Sequence, residues 1–223
     1  LEKETENYII NGMVVLSEPG GGKTTYLKHL IYDLISCYKN NTLNNQLFAT
    51  NGLDKDVEYI PFFIRTRDLT DVLNDSEIIG KLFDVIIKNG VSTILNASVS
   101  IQGSDIADTI ASLHSEKTNR RYLLVIDGFE ELDDEKAGRL LECLKHAYDS
   151  GKLNRTEDRL IISSRYKEYG YQKLVSFCKE YSITERFIKF DNKNGGIDRC
   201  VSKWFDILKK EGQDMHEYFN QMR

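Results

Sequence analysis

The sequence predicts an α/β fold in which a parallel sheet is covered by helices on both faces. Three observations carry that expectation. Short runs are apolar throughout, residues 13–16 (MVVL) and 122–126 (YLLVI) among them, which marks strands buried on two sides. Between the runs, apolar residues recur at three- and four-residue steps, the period of an amphipathic helix. The first run passes through a glycine-rich turn, residues 17–25 (SEPGGGKTT), straight into the first such stripe.

The elements follow in chain order. Residues 13–16 form the first strand. Leu27, Leu30, Ile31, Leu34, Ile35 and Tyr38 then set a helix of about four turns. It stops at Asn40-Asn41-Thr42, and an Asn-rich loop is expected to about Asp56. Residues 57–65 (VEYIPFFIR) read as the second strand, and Pro61 inside it argues for an edge position or a bulge. Ile78, Ile79, Leu82, Phe83, Ile86 and Ile87 make another stripe, ended by Asn89-Gly90, and a weaker helix is expected near Ile106, Ile110 and Leu113. Residues 122–126 are the third strand. Ala137, Leu140, Leu141, Leu144 and Tyr148 mark the helix after it. A fourth strand starts at 160–162 and runs into Ser163-Ser164-Arg165. A helix around 172–180 precedes a fifth strand near 187–190, and Ile197, Val201, Trp204, Phe205 and Leu208 give a last stripe. Residues 1–190 are expected to form the α/β core and 191–223 to begin a helical subdomain.

Composition bounds the function. The 223 residues are 40% hydrophobic and 29% charged, which suits one soluble domain with a real core. Lys and Arg total 30 against 35 Asp and Glu, a net charge of -5, and there is no basic run. Such a chain lacks the electrostatic footprint of a nucleic-acid binder. Cys37, Cys143, Cys178 and Cys200 form no CxxC pair. Cys37 and Cys143 lie on apolar stripes and read as reduced core thiols, which points to the cytoplasm. The chain has no run of 18 apolar residues and starts with the charged stretch LEKETEN, so neither a membrane span nor a signal is expected.

Three motifs carry chemistry. The first is the turn after the first strand. Glycines let successive backbone N–H groups point into one concavity, and the positive end of the helix dipole adds to the field there. That suits a polyphosphate: Pro19, Gly20, Gly21, Gly22, Lys23, Thr24 and Thr25 would hold it, Lys23 as a mobile charge on the outer phosphates and Thr24 on Mg²⁺. In the pattern GxxxxGK[ST], Ser17 stands where the first glycine belongs. The second motif is residues 122–132 (YLLVIDGFEEL). Asp127 ends an apolar strand, as a Mg²⁺-binding acid does, and Glu130 or Glu131 would orient or deprotonate a water. Glu130 and Glu131 are equally readable as solvated acids at a helix start. The third is residues 160–169 (LIISSRYKEY), where Arg165 reads as a γ-phosphate sensor once the other two motifs are in place. Arg65 and Arg67 close the second strand and read as solvated charges. Tyr8, Ile9 and Ile10 would flank a base or staple the first strand, and Trp204 and Phe205 read as core.

With these motifs the chain resembles a NACHT-type NTPase, within the STAND group of AAA+-related P-loop proteins. The resemblance lies in residues 14–30 (VVLSEPGGGKTTYLKHL), 59–69 (YIPFFIRTRDL), 122–134 (YLLVIDGFEELDD), 159–165 (RLIISSR) and 201–208 (VSKWFDIL). Most specific is Asp127-Gly128-Phe129-Glu130-Glu131, a small residue after the Mg²⁺ acid and then an acidic pair. The resemblance implies a three-layer P-loop NTPase fold whose five parallel strands are ordered 5-1-4-3-2, followed by C-terminal helices. It implies ATP or ADP held by Gly20 to Thr25, Mg²⁺ held by Thr24 and Asp127, and slow hydrolysis in which Lys23, Glu130, Glu131 and Arg165 take part. Members of the family are signalling switches, ADP-bound at rest and ATP-bound when active. They self-associate through this module, are joined to sensor and effector domains, and in bacteria commonly act in antiviral defence. The residues before Ser17 are too few for an effector, and no proline follows Pro61 to supply the family's Gly-x-Pro contact. The expectation is therefore a domain of a longer protein. The rival reading is a scaffold that traps ADP, assembles with other copies and hydrolyses nothing.

Overall fold

The computed structural model describes residues 11–42, 44–75, 78–79, 81–83, 85, 119–166 and 170–187. All of them belong to the first of the chain's two compact units, Leu1–Ile188. The helices expected near 106–113 and 197–208, the boundary at 190, and Tyr8, Ile9 and Ile10 lie outside the described residues.

Five strands form one parallel sheet: β1 (Gly12–Ser17), β2 (Glu58–Arg65), β3 (Arg120–Asp127), β4 (Arg159–Arg165) and β5 (Ile183–Phe187), in the spatial order β2-β3-β4-β1-β5. Read from the other edge this is 5-1-4-3-2, the order expected. Among the described residues the bounded helices are α1 (Lys23–Asn40), α2 (Asn45–Thr50), α3 (Asp134–Asp149) and α4 (Tyr171–Glu180), with 3-10 turns at Thr66–Leu69, Val72–Asn74 and Phe129–Glu131.

The strands read as continuous apolar runs because both faces of the sheet are covered. Their side chains nevertheless divide with a period of two. Val14, Leu16, Phe62, Ile64, Leu124, Ile126, Leu160 and Ile162 join α3 and α4 in one core. Met13, Val15, Tyr59, Leu123, Val125 and Ile161 join Leu27, Leu30 and Leu34 of α1 in the other. A slip of one residue in any central strand would exchange the two sets, so two separate cores fix the register. Gly12 fixes it further: a Cβ there would lie 2.2 Å from the Leu160 carbonyl oxygen across the β1–β4 ladder.

Two boundaries differ from the sequence reading. The Asn-rich stretch is not all loop, because Asn44 caps α2 through a bond accepted from the Leu47 N–H at 3.1 Å, and Phe48 is buried under it. The fifth strand begins at Ile183 and meets the expected span only at Phe187, with residues 188–190 outside the described set. It is an edge strand, where polar Thr184, Glu185 and Arg186 break the apolar run that betrays a central one. Pro61 meets its expectation, since β2 is the opposite edge. Of the 78–87 stripe, Ile78, Leu82 and Phe83 are buried in the α3 core, and the N–H groups of Lys81 and Val85 bond back to Ile78 and Lys81.

Candidate functional site

The register aligns the chemistry at one edge of the sheet. Ser17 pairs with Arg165 and Arg65 with Asp127, so β1 ends with β4 and β2 ends with β3, and the Ile126–Ile162 pair brings Asp127 within two residues of the end of β4. In open α/β sheets the ligand crevice lies at this carboxyl edge.

The turn after β1 owes its path to glycine. Gly20 (φ 72°) and Gly22 (φ 78°) are left-handed, a conformation costly for other residues. A Cβ on Gly21 would fall 2.6 Å from Ser17 Oγ and 2.9 Å from the Glu18 carbonyl oxygen. α1 then begins at Gly22 with no side-chain cap and no acid in its first turn. Its leading N–H groups thus face the cleft with no side chain of their own helix to accept them.

Ser17 has a use at the position where the pattern has glycine. Fully buried, it donates to the Glu18 carbonyl oxygen at 3.0 Å and accepts from Lys23 Nζ at 3.4 Å. Lys23 is itself 9% exposed, and its ammonium also lies 3.3 Å from Glu130 Oε1. The same carboxylate oxygen is 3.3 Å from Arg165 Nε.

Asp127 is buried and held from two sides. Thr24 Oγ1 donates to its Oδ2 at 2.7 Å, and Ser163 Oγ donates to its Oδ1 at 2.6 Å. Ser163 also accepts the Gly128 N–H at 2.8 Å, and Thr66 donates to the Gly128 carbonyl at 2.5 Å. Ser163 of β4 and Thr66, which opens the 3-10 turn after β2, therefore clamp the turn that follows Asp127, and Gly128 takes it at φ 84°. The sequence reading named Arg65 and Arg67 but passed over Thr66 between them. Its signal is a small hydroxyl residue between two charges at a strand end, and the side chain is fully buried. Arg65 pairs with Asp68 at 3.0 Å, and Arg67 is mostly exposed, as expected of solvated charges.

These groups line one cleft of about 340 Å³, in the range of small-ligand sites. Gly20, Gly21, Gly22, Lys23, Thr24, Thr25, Asp127, Glu130, Glu131 and Arg165 all take part, with Gly128 added. Pro19, also expected to hold the phosphates, is exposed and outside the lining. Proline has no N–H to offer an anion, so its absence costs the cleft no donor. Glu130 and Glu131 part company. The Glu130 side chain is 7% exposed, whereas Glu131 is exposed to solvent.

The donor set suits Mg²⁺ better than a metal that demands an all-protein cage. Among the described residues no three His, Cys, Asp or Glu side chains cluster to hold a metal. Mg²⁺ keeps several waters and takes one or two protein oxygens plus phosphate, which one hydroxyl and one carboxylate in contact can satisfy.

Strand order, the strand–glycine loop–helix junction and the acid at the end of β3 define a P-loop NTPase-like α/β fold. No family model matches the chain, and no curated protein matches it. Among solved structures it is similar to EccC (ATPases 2 and 3) of Thermomonospora curvata in complex with a signal sequence peptide. The identity is 16% and the TM-score 0.33, over 80% of this chain and 30% of that one. Among the described residues no helix is long and apolar enough to cross a membrane.

Proposed function

We propose that the chain is the ATP/Mg²⁺-binding NTPase module of a NACHT-type signalling switch. It rests with ADP, acts with ATP, and is reset by slow hydrolysis. What supports the reading is one convergence: a glycine loop that opens an uncapped helix, a buried lysine, a hydroxyl–carboxylate pair and an arginine in a single cleft. The loop amides and the start of α1 bind phosphate oxygens, and Lys23 neutralises the outer phosphates. Thr24 and Asp127 hold Mg²⁺, which supplies charge neutralisation between the phosphates. Arg165 reads the terminal phosphate, and Glu130 or Glu131 orients the water. Self-association, sensor and effector domains and a place in antiviral defence belong to the same proposal and come from the family resemblance, and a cytoplasmic setting joins them from the reading of the cysteines as reduced thiols.

The test is a thermal scan with Mg-ATP and Mg-ADP. Ligand at a thousand times its Kd stabilises by about 4 kcal/mol, and the melting point of a domain this size rises by about 8 to 16 °C. A shift below about 1 °C in nucleotide-free protein refutes binding. Phosphate release that vanishes in Glu130→Gln/Glu131→Gln supports the enzyme. Tightly held ADP without turnover supports the scaffold.

A further inference from the structure

Glu130 sits at the centre of the cleft in an arrangement that an ordinary structural ion pair does not explain. One oxygen, Oε1, is shared between Lys23 Nζ and Arg165 Nε, each at 3.3 Å. The other, Oε2, is buried without a hydrogen-bond partner among the described residues. Charge-assisted N–H···O contacts usually close to about 2.7–2.9 Å, so both pairs are loose. A buried acceptor left unserved costs free energy, and one that persists calls for a reason beyond stability. The carboxylate is neither optimised for this position nor free of it.

Two cations equally spaced about a single anionic oxygen are also what a phosphoryl oxygen would meet there. Lys23 is fixed from behind by Ser17 and opens α1. Arg165 is 42% exposed and comes from the end of β4. They approach Glu130 from the start of α1 and the end of β4 and have one described carboxylate between them.

Building on the phosphate-binding reading above, we propose that Glu130 is a specificity-determining latch against the terminal phosphate of a nucleoside triphosphate. Without that phosphate the carboxylate holds Lys23 and Arg165. A triphosphate enters by offering its own oxygens to the two cations, and the displaced carboxylate, with Oε2 already unpaired, turns to solvent. A diphosphate has no terminal group to compete for Arg165 and leaves that half of the latch closed. Glu130 therefore penalises the triphosphate more than the diphosphate and biases the chain toward its resting ligand.

The experiment measures Kd of the whole chain for fluorescent ADP and for a fluorescent non-hydrolysable ATP analogue, both with Mg²⁺. Glu130→Gln keeps the shape and removes the charge. It is expected to bind the triphosphate analogue about tenfold tighter and to change ADP binding by less than about threefold. Unchanged or weaker analogue binding overturns the latch. Should Glu130→Gln unfold, Glu130→Asp is one methylene short of both cations and must tighten analogue binding in the same direction. A double-mutant cycle with Arg165→Ala supplies a readout independent of affinity. Coupling between positions 130 and 165 in thermal unfolding should be present in the ligand-free protein and vanish with saturating analogue. Equal coupling in both states overturns the proposal. The outcomes separate the two claims: a wild type that binds nucleotide, with Lys23→Ala losing it, and no gain from Glu130→Gln defeats the latch alone. A wild type that binds neither ligand defeats both.

Discussion

Among the described helices that begin at the carboxyl edge of the sheet, α1 and α3 are opposite in design. α3 is closed by its own side chains. Asp133 accepts the Lys136 N–H at 2.8 Å, and Asp134 and Glu135 place negative charge on the positive end of the dipole. α1 has none of this: it opens on a left-handed glycine, has no side-chain cap, and carries lysine where α3 carries acid. A helix needed only for packing satisfies its first amides internally, while one that holds an anion leaves them bare. A bare start is not sufficient, since α4 also opens on a left-handed glycine without a cap. What α1 adds is Lys23 inside the cleft and the Thr24–Asp127 pair.

The largest expected effect comes from making α1 like a helix without a ligand. Lys23→Ala removes a charge that is nine-tenths buried in the cleft. Truncating one member of a desolvated charge pair costs roughly 2–5 kcal/mol, or about 30- to 4000-fold in affinity. Isothermal titration with Mg-ATP should show that loss, and the nucleotide-dependent melting shift should fall by about half or more. Binding within about threefold of wild type would remove the contrast between the two helix starts.

Next comes the loop. Gly21→Ala places a methyl 2.6 Å from Ser17 Oγ and 2.7 Å from Ser17 Cβ, so the turn must open. Ser17 then loses its hold on Lys23, and nucleotide affinity should fall by about tenfold or more, at a stability cost of about 1–3 kcal/mol. Urea unfolding and titration on the same variant separate the two effects. At α3 the expected result is the reverse. Asp133→Ala should lower the melting point through the lost cap and leave nucleotide affinity unchanged.

The contrast between the helix starts also explains what could be read from the sequence. Glycines, lysine and threonine at 20–25 and the acid at 127 are legible because each belongs to a short contiguous pattern at a fixed point of a strand–loop–helix path or a strand end. The central strands are legible for a related reason: burial on both faces leaves nothing polar in residues 13–16 or 122–126. Edge strand β5 hides, since its Thr184, Glu185 and Arg186 carry no such signature. α2 hides because six residues are too few for periodicity to show, and its cap, Asn44, stands among other asparagines. Thr66 and Ser17 act through bonds to residues far along the chain or to a lysine six positions on, and local pattern does not encode those partners. Burial separates Glu130 from Glu131, and adjacent identical residues give a sequence reader no means of seeing it.

The smallest expected effect tests the bodies of the two helices rather than their starts. Cys143 lies in the buried face of α3, and burial, with a smaller contribution from the Glu142 charge, pushes its thiol up to about 12. Cys178 in α4 is pushed up to about 12 as well, by burial first and then by Glu185. Cys37 in α1 is only half-buried. At pH 8 in native protein, iodoacetamide should therefore label Cys37 well before Cys143 or Cys178, whose thiolate forms are scarce and shielded. Peptide mass mapping reads the order, and early labelling of Cys143 would show that α3 is not packed as described. The same shifts carry a pH dependence. A thiol with a folded-state value above its unfolded one, ordinarily near 9, binds its proton more tightly in the native state. The stability this contributes is complete below pH 9 and is lost as the pH rises toward 12. Tyr38 and Tyr122, also raised to about 12 mainly by burial, add to the fall above pH 10. Thermal melts between pH 8 and 11 should decline steadily, and Cys143→Ala and Cys178→Ala should each flatten the decline even as they lower the melting point at pH 8.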